Sequence, residues 1–186
     1  MRLRVAHAPY VANKIAIDLL NSGVVHFTRG VEAVVHAAQE VLEQELGKEA
    51  ALDERVWELI EEKEEEADPD LELADRKQLF WLIKKRLAPE FGVILDYEDK
   101  YNDISHKILK KLYDEDLINY NVADNRVKNI IFDAIMSYIK SYDEIEDIVL
   151  EKISHYKRKL IPGTDEFEVV YKKLFEDELR RRGMLV

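Results

Sequence analysis

The residues best equipped for chemistry here are histidines and carboxylates, and their spacing is the first test for a metal or an acid–base site. Glu32 with His36, and Glu151 with His155, stand four apart, which puts each pair on one helix face. A di-iron bundle needs Glu and His three apart plus glutamates from partner helices, and a zincin needs HExxH; the sequence has neither arrangement. His7, His26 and His106 stand alone. Acidic neighbours such as Asp53 and Glu54, or Glu144 and Asp147, fit the solvated side of amphipathic helices better than a catalytic dyad.

Nucleophiles and phosphate cradles fare no better. There is no cysteine, so thiolate catalysis, disulfides and iron–sulfur ligation fall away together. Ser22, Ser105, Ser137, Ser141 and Ser154 lie outside any GxSxG elbow, and neither GxGxxG nor GxxxxGK[ST] occurs. The reading therefore expects no catalytic residues, no cofactor and no metal.

Three basic clusters remain: Lys84-Lys85-Arg86, Lys157-Arg158-Lys159 and Arg180-Arg181-Arg182. Each is expected in the last turns of a helix, where cations interact favourably with the negative end of the helix dipole. A nucleic-acid interface would need them on one surface with interleaved aromatics, and the apolar stripe places Trp81 in the core instead. The formal charge of -11 also repels polyphosphate at long range. Nucleic-acid binding through basic helix ends is thus the second reading. A helix running through LLNSGVVHF also resembles one entering a wing strand, with 29–42 as the recognition helix.

The elements that would position these residues are helical. Val11, Ile15 and Leu19 fall four apart, and Val31, Val34, Val35, Ala38, Val41 and Leu42 make one stripe. Val127, Ile130, Ile131, Ala134, Ile135, Tyr138 and Ile139 make another. The spacing predicts helices over about 9–22, 29–46, 52–67, 70–88, 103–116, 123–141, 143–160 and 165–182. Gly23, Gly47, Gly92 and Gly183 stand at expected stops, and Asp165 with Glu168 is spaced as a capping box. GVVHF, LINY and GVIL are short enough for minor strands. No segment approaches the ~18 apolar residues of a membrane span, and the first residues lack a signal-peptide core.

A shift of about 93 residues lays YVANKIAIDLLNSGVVHF over DISHKILKKLYDEDLINY, and VWELI over VLEKI. Near the same shift, FWLI falls on YKKL and GVIL on GMLV. The expected fold is all-α, two tandem copies of a roughly four-helix unit over 1–96 and 97–186, packed together with a few very short strands. The shift also brings Lys157, Arg158 and Lys159 onto Glu64, Glu65 and Glu66, and Pro162 onto Pro69. Opposite signs at matched helix ends argue against a shared phosphate grip. They fit either neutral drift on two exposed helix ends or selectors for the other copy, a second subunit or a partner protein.

HAPYVANKIAIDLL, DRKQLFWLIKKRLAPEFGVIL, NRVKNIIFDAI and ISHYKRKLIPGT through KLFEDELRRRGML resemble an uncharacterised bacterial family, the domain of unknown function 507. The resemblance covers nearly the whole chain. It implies an intracellular, mostly helical protein and supplies no catalytic residues. The combined expectation is a non-enzymatic cytoplasmic interaction or regulatory module, with a protein partner or self-association. Its candidate contacts are Lys84, Lys85, Arg86, Lys157, Arg158, Lys159, Glu64, Glu65 and Glu66.

Overall fold

The computed structural model describes residues 1–66 and 73–186, with side chains for 1–62 and 76–186. After a short 3-10 turn over Val5–His7 come α1 (Ala8–Asn21), β1 (Val25–Phe27), α2 (Val31–Glu66) and α3 (Leu73–Leu87). There follow α4 (Tyr97–Asp114), β2 (Ile118–Tyr120), α5 (Asp124–Ser154) and α6 (Asp165–Arg181). The protein is mostly helical, with six α-helices and one two-stranded sheet among the described residues. The strands are antiparallel, with His26 opposite Asn119, Val25 opposite Tyr120 and Phe27 opposite Ile118.

Eight predicted helices are six because two predicted breaks do not occur. Gly47 lies inside α2, which runs on to Glu66. A helical glycine costs about 1 kcal/mol relative to alanine. Good helix formers surround it, and the buried stripe Leu42, Leu46, Leu52, Val56, Ile60 continues across it, which outweighs that cost. In α5 the stripe Tyr138, Ile145, Val149, Ile153 likewise carries the helix past Ser141. The N-cap of α6 is Thr164 rather than Asp165: its Oγ1 accepts from the Phe167 N–H at 3.3 Å.

Short-range geometry explains the strands and the stops. GVIL is not a strand. Gly92 has φ 65° and the Val93 N–H donates to the Ala88 carbonyl at 2.9 Å. Gly183 has the same φ, and Met184 donates to Leu179 at 2.9 Å. Both turns need the left-handed region that glycine enters without steric cost. Among the described residues the supposed wing strand pairs only with β2. The supposed recognition helix buries Val34, Ala38 and Leu42, so that face cannot reach a DNA groove.

The main core joins α1, the first half of α2, α4, α5 and α6. A second, smaller cluster of Leu52, Val56, Ile60 and Ala88 joins the far half of α2 to α3, with Phe80, Ile83 and Leu87 packed on it. The α2–α3 pair is therefore an arm with its own small core.

Candidate functional site

The basic residues singled out by sequence separate in the structure. Lys84, Lys85 and Arg86 do occupy the last turn of α3. Lys85 and Arg86 face outward, whereas Lys84 is only 1% exposed and therefore not a surface contact. Lys157, Arg158 and Lys159 lie beyond α5, which stops at Ser154, so the helix-dipole explanation does not reach them. The Ser154 hydroxyl donates to the Glu151 carbonyl at 2.7 Å, and His155 N–H to Lys152 at 3.3 Å, closing the helix early. Arg158 pairs with Glu166 at 3.2 Å. Glu64, Glu65 and Glu66 form the end of α2, and their side chains lie outside the described residues, as does Pro69. The two segments aligned by sequence thus differ in backbone state: one ends a helix and the other follows one.

The third cluster is satisfied internally. Glu178, fully buried, accepts from Arg181 at 2.5 Å and from Arg182 at 3.0 Å, with Lys152 at 3.3 Å. Arg181 foremost, against the opposing effect of burial, holds the Glu178 carboxyl down at about 2. Arg182 also reaches Glu144 at 3.1 Å. This end of α6 spends its charge on holding itself together.

Lys84 belongs to a buried ionic lock. Its Nζ lies 2.7 Å from Asp53 and 3.2 Å from Glu49, both on α2. Glu49 also takes Lys100 of α4 at 2.9 Å and Arg2 of the N-terminal segment at 2.6 Å. Burial opposes charge on Glu49, but Lys100 first, then Arg2 and Lys84, outweigh it and keep the carboxyl below its usual range. A cavity of about 20 Å³ beside Glu49 and Lys100 has room for roughly one water. Four parts of the chain converge on one carboxylate. Spacing alone could not reveal this, because Arg2, Glu49, Lys84 and Lys100 are far apart in sequence.

Outside this lock runs an aromatic strip. Trp57 of α2 lies 4.9 Å from Phe80 of α3, centroid to centroid, and Phe80 lies 5.9 Å from Trp81 edge-on. Lys84 Nζ sits 5.3 Å from the Trp81 ring centroid, joining the lock to the strip. Trp81 is 54% exposed and Leu82 67%, so the expectation that Trp81 is core is overturned. At 100° per residue, Phe80, Ile83 and Leu87 fill the inward face and Trp81 falls one step past its edge. That arithmetic was the available signal, and the apolar character of Trp81 hid it.

Of the two histidine–glutamate pairs, His36 Nδ1 lies 3.6 Å from Glu40, His155 Nδ1 lies 2.8 Å from the Glu151 backbone carbonyl, and no three His, Asp or Glu gather to hold a metal among the described residues. No helix among them is long and apolar enough to cross a membrane. Residues 1–184 match the family described as Protein of unknown function (DUF507). The chain belongs to DUF507. The match spans both long helices and the arm, so the lock and the strip both lie inside the DUF507 region. No curated protein matches the DUF507 chain.

Proposed function

We propose that the protein is a non-enzymatic, cytoplasmic protein-interaction module, built from two copies of one unit over 1–96 and 97–186, which uses the α2–α3 arm as its contact. The unit is helix, strand, long helix, helix, one helix fewer than the sequence suggested. Supporting the duplication, that order occurs twice. The strands pair about His26 and Asn119, residues equated by the shift of about 93. Helix α1 packs on α5 as α4 packs on α2. Positive φ recurs at Gly23 and Asp116. These features fit an approximate two-fold.

The observation that carries the interaction reading is the exposed strip of Trp57, Trp81 and Leu82 on an arm with its own core. Grouped large apolar side chains in water mark contact surfaces, whereas single ones do not. The corresponding face of α6, by the alignment of Phe80 with Tyr171, carries Lys172 and Lys173 instead of Trp81 and Leu82. Solvation satisfies that face. The test is co-purification of tagged wild type, Trp81→Glu and Val169→Glu from cells that also express a differently tagged copy. The reading expects at least one protein, or the second copy, to be retained by wild type and Val169→Glu and lost with Trp81→Glu. It is overturned if all three retain the same set.

A further inference from the structure

The aromatic strip has rims of opposite charge. On the α2 side stand Glu54 and Glu61, both exposed, flanking Trp57 by three and four residues. On the α3 side stand Lys77 and Lys85, both exposed, four residues before and after Trp81. None of these four has an ion-pair partner among the described residues. Helical spacing of three or four puts each charge beside its tryptophan on the helix surface. The strip is therefore a seam, acidic along one edge and basic along the other.

We infer that this seam takes a second copy of the same chain. The inference rests on the interaction reading above and names its partner. A two-fold axis parallel to the seam lays the α2 edge of one copy over the α3 edge of the other, so Glu54 and Glu61 meet Lys77 and Lys85 on both sides at once. The apolar strips then cover each other, and the facing helices run antiparallel as in a four-helix bundle. Buried tryptophans supply most of the attraction, and the rims set orientation.

The bipolar rim also argues against other occupants. A nucleic-acid strand stacking on Trp81 would draw its phosphates along Glu54 and Glu61, which repel them. A uniformly acidic peptide meets the same edge. The net charge of -11 opposes self-association at long range, so the local complementarity at the seam must overcome it, and salt that screens the net repulsion still leaves close pairs in place.

The test uses the purified full chain in sedimentation equilibrium. Wild type is expected to show a monomer–dimer equilibrium, with Trp81→Glu and Leu82→Glu monomeric while keeping wild-type helicity and melting. Lys77→Glu/Lys85→Glu makes both rims acidic, Glu54→Lys/Glu61→Lys makes both basic, and each alone should weaken dimerisation on the order of tenfold or more. Mixed together, the two charge variants should form a heterodimer of near wild-type strength. The proposal is overturned if wild type is monomeric at every concentration, if its dimer survives Trp81→Glu and Leu82→Glu, or if mixing the charge variants restores nothing. It is also overturned if monomeric protein binds a single-stranded oligonucleotide with quenching that Trp81→Glu abolishes. A monomeric wild type alongside Trp81-dependent co-purification in cells would remove the second copy and leave the interaction reading standing.

Discussion

Two junctions in this molecule hold neighbouring helices together with different chemistry. Where α2 meets α3 and α4, Glu49 is gripped by Lys84, Lys100 and Arg2. Where α5 meets α6 and the turn before α1, Tyr142 packs its ring 5.5 Å from Phe175 and 5.2 Å from His7. Under the proposed duplication, a shift of about 93 residues sets Glu49 against Tyr142 and Lys100 against His7. By the alignment of Phe80 with Tyr171, Lys84 falls on Phe175. Tyr10 extends the aromatic junction, with its ring 5.7 Å from Phe175 and its hydroxyl donating to Glu176 at 3.2 Å. The ionic junction is directional, and each member depends on its partners. The aromatic junction is packed area, and it draws α6 into the main core while α3 keeps a small core of its own.

The largest effect that would break this contrast is expected from Glu49→Ala. It leaves Lys84 and Lys100 charged without their common carboxylate, and removing one partner of a buried ion pair costs about 3–5 kcal/mol. Denaturant unfolding should show that loss, and a change under ~0.5 kcal/mol would mean the lock holds nothing. The triple substitution Glu49→Tyr, Lys84→Phe and Lys100→His installs the aromatic set at the ionic junction. Well-packed replacements of buried ion networks are often neutral or better, so the triple should recover most of what Glu49→Ala loses. If it is as unstable as Glu49→Ala, the junctions are not interchangeable.

A pH titration separates the two junctions by a smaller effect. Burial first, and Arg4 second, lower the His7 pKa below its ordinary value of 6.5. The Arg4 N–H donates to His7 Nδ1 at 2.8 Å, a bond that needs the unprotonated nitrogen. A depressed histidine binds protons more readily when unfolded, so its contribution is present above about 6.5 and lost as pH falls through the lowered folded value. Glu49 and Glu178 also have lowered values, starting from 4.5, so their contributions are present above about 4.5 and lost at more acid pH, for Glu178 as pH falls towards about 2. Melting temperature should fall in two stages on acidification, and His7→Phe should remove only the first. A single stage unchanged by His7→Phe would show that the aromatic junction does not titrate.

The smallest effect is expected at the loop after α5. Reversing Lys157, Arg158 and Lys159 to glutamate should change stability by less than ~0.5 kcal/mol, because these residues are exposed and Arg158 makes only a surface pair. The same reversal should leave the sedimentation mass unaltered. A change of mass would return these residues to the interface.

Much of the fold was legible because helical periodicity is local. Val11, Ile15 and Leu19 gave α1, and the stripe from Val127 to Ile139 gave the start of α5. Gly47 misled because a glycine reads as a stop wherever the flanking burial is not yet known. Trp81 misled in the opposite direction, since an apolar residue beside a core stripe reads as core. For Lys84 the composition of the cluster suggested a surface, while a carboxylate thirty-five residues earlier drew its charge inward.

The sequence by itself determined the helical class, the polar and apolar faces and the turns at Gly92 and Gly183, because these depend on neighbours within a few residues. Only the tertiary structure decided which charges became internal and which apolar residues stayed in water. Arg2, Glu49, Lys84 and Lys100 meet only when four distant segments pack, and Trp57 and Trp81 remain exposed because no third helix among the described residues covers the two-helix arm. Burial and desolvation depend on that assembled geometry, so no spacing within one helix could fix them.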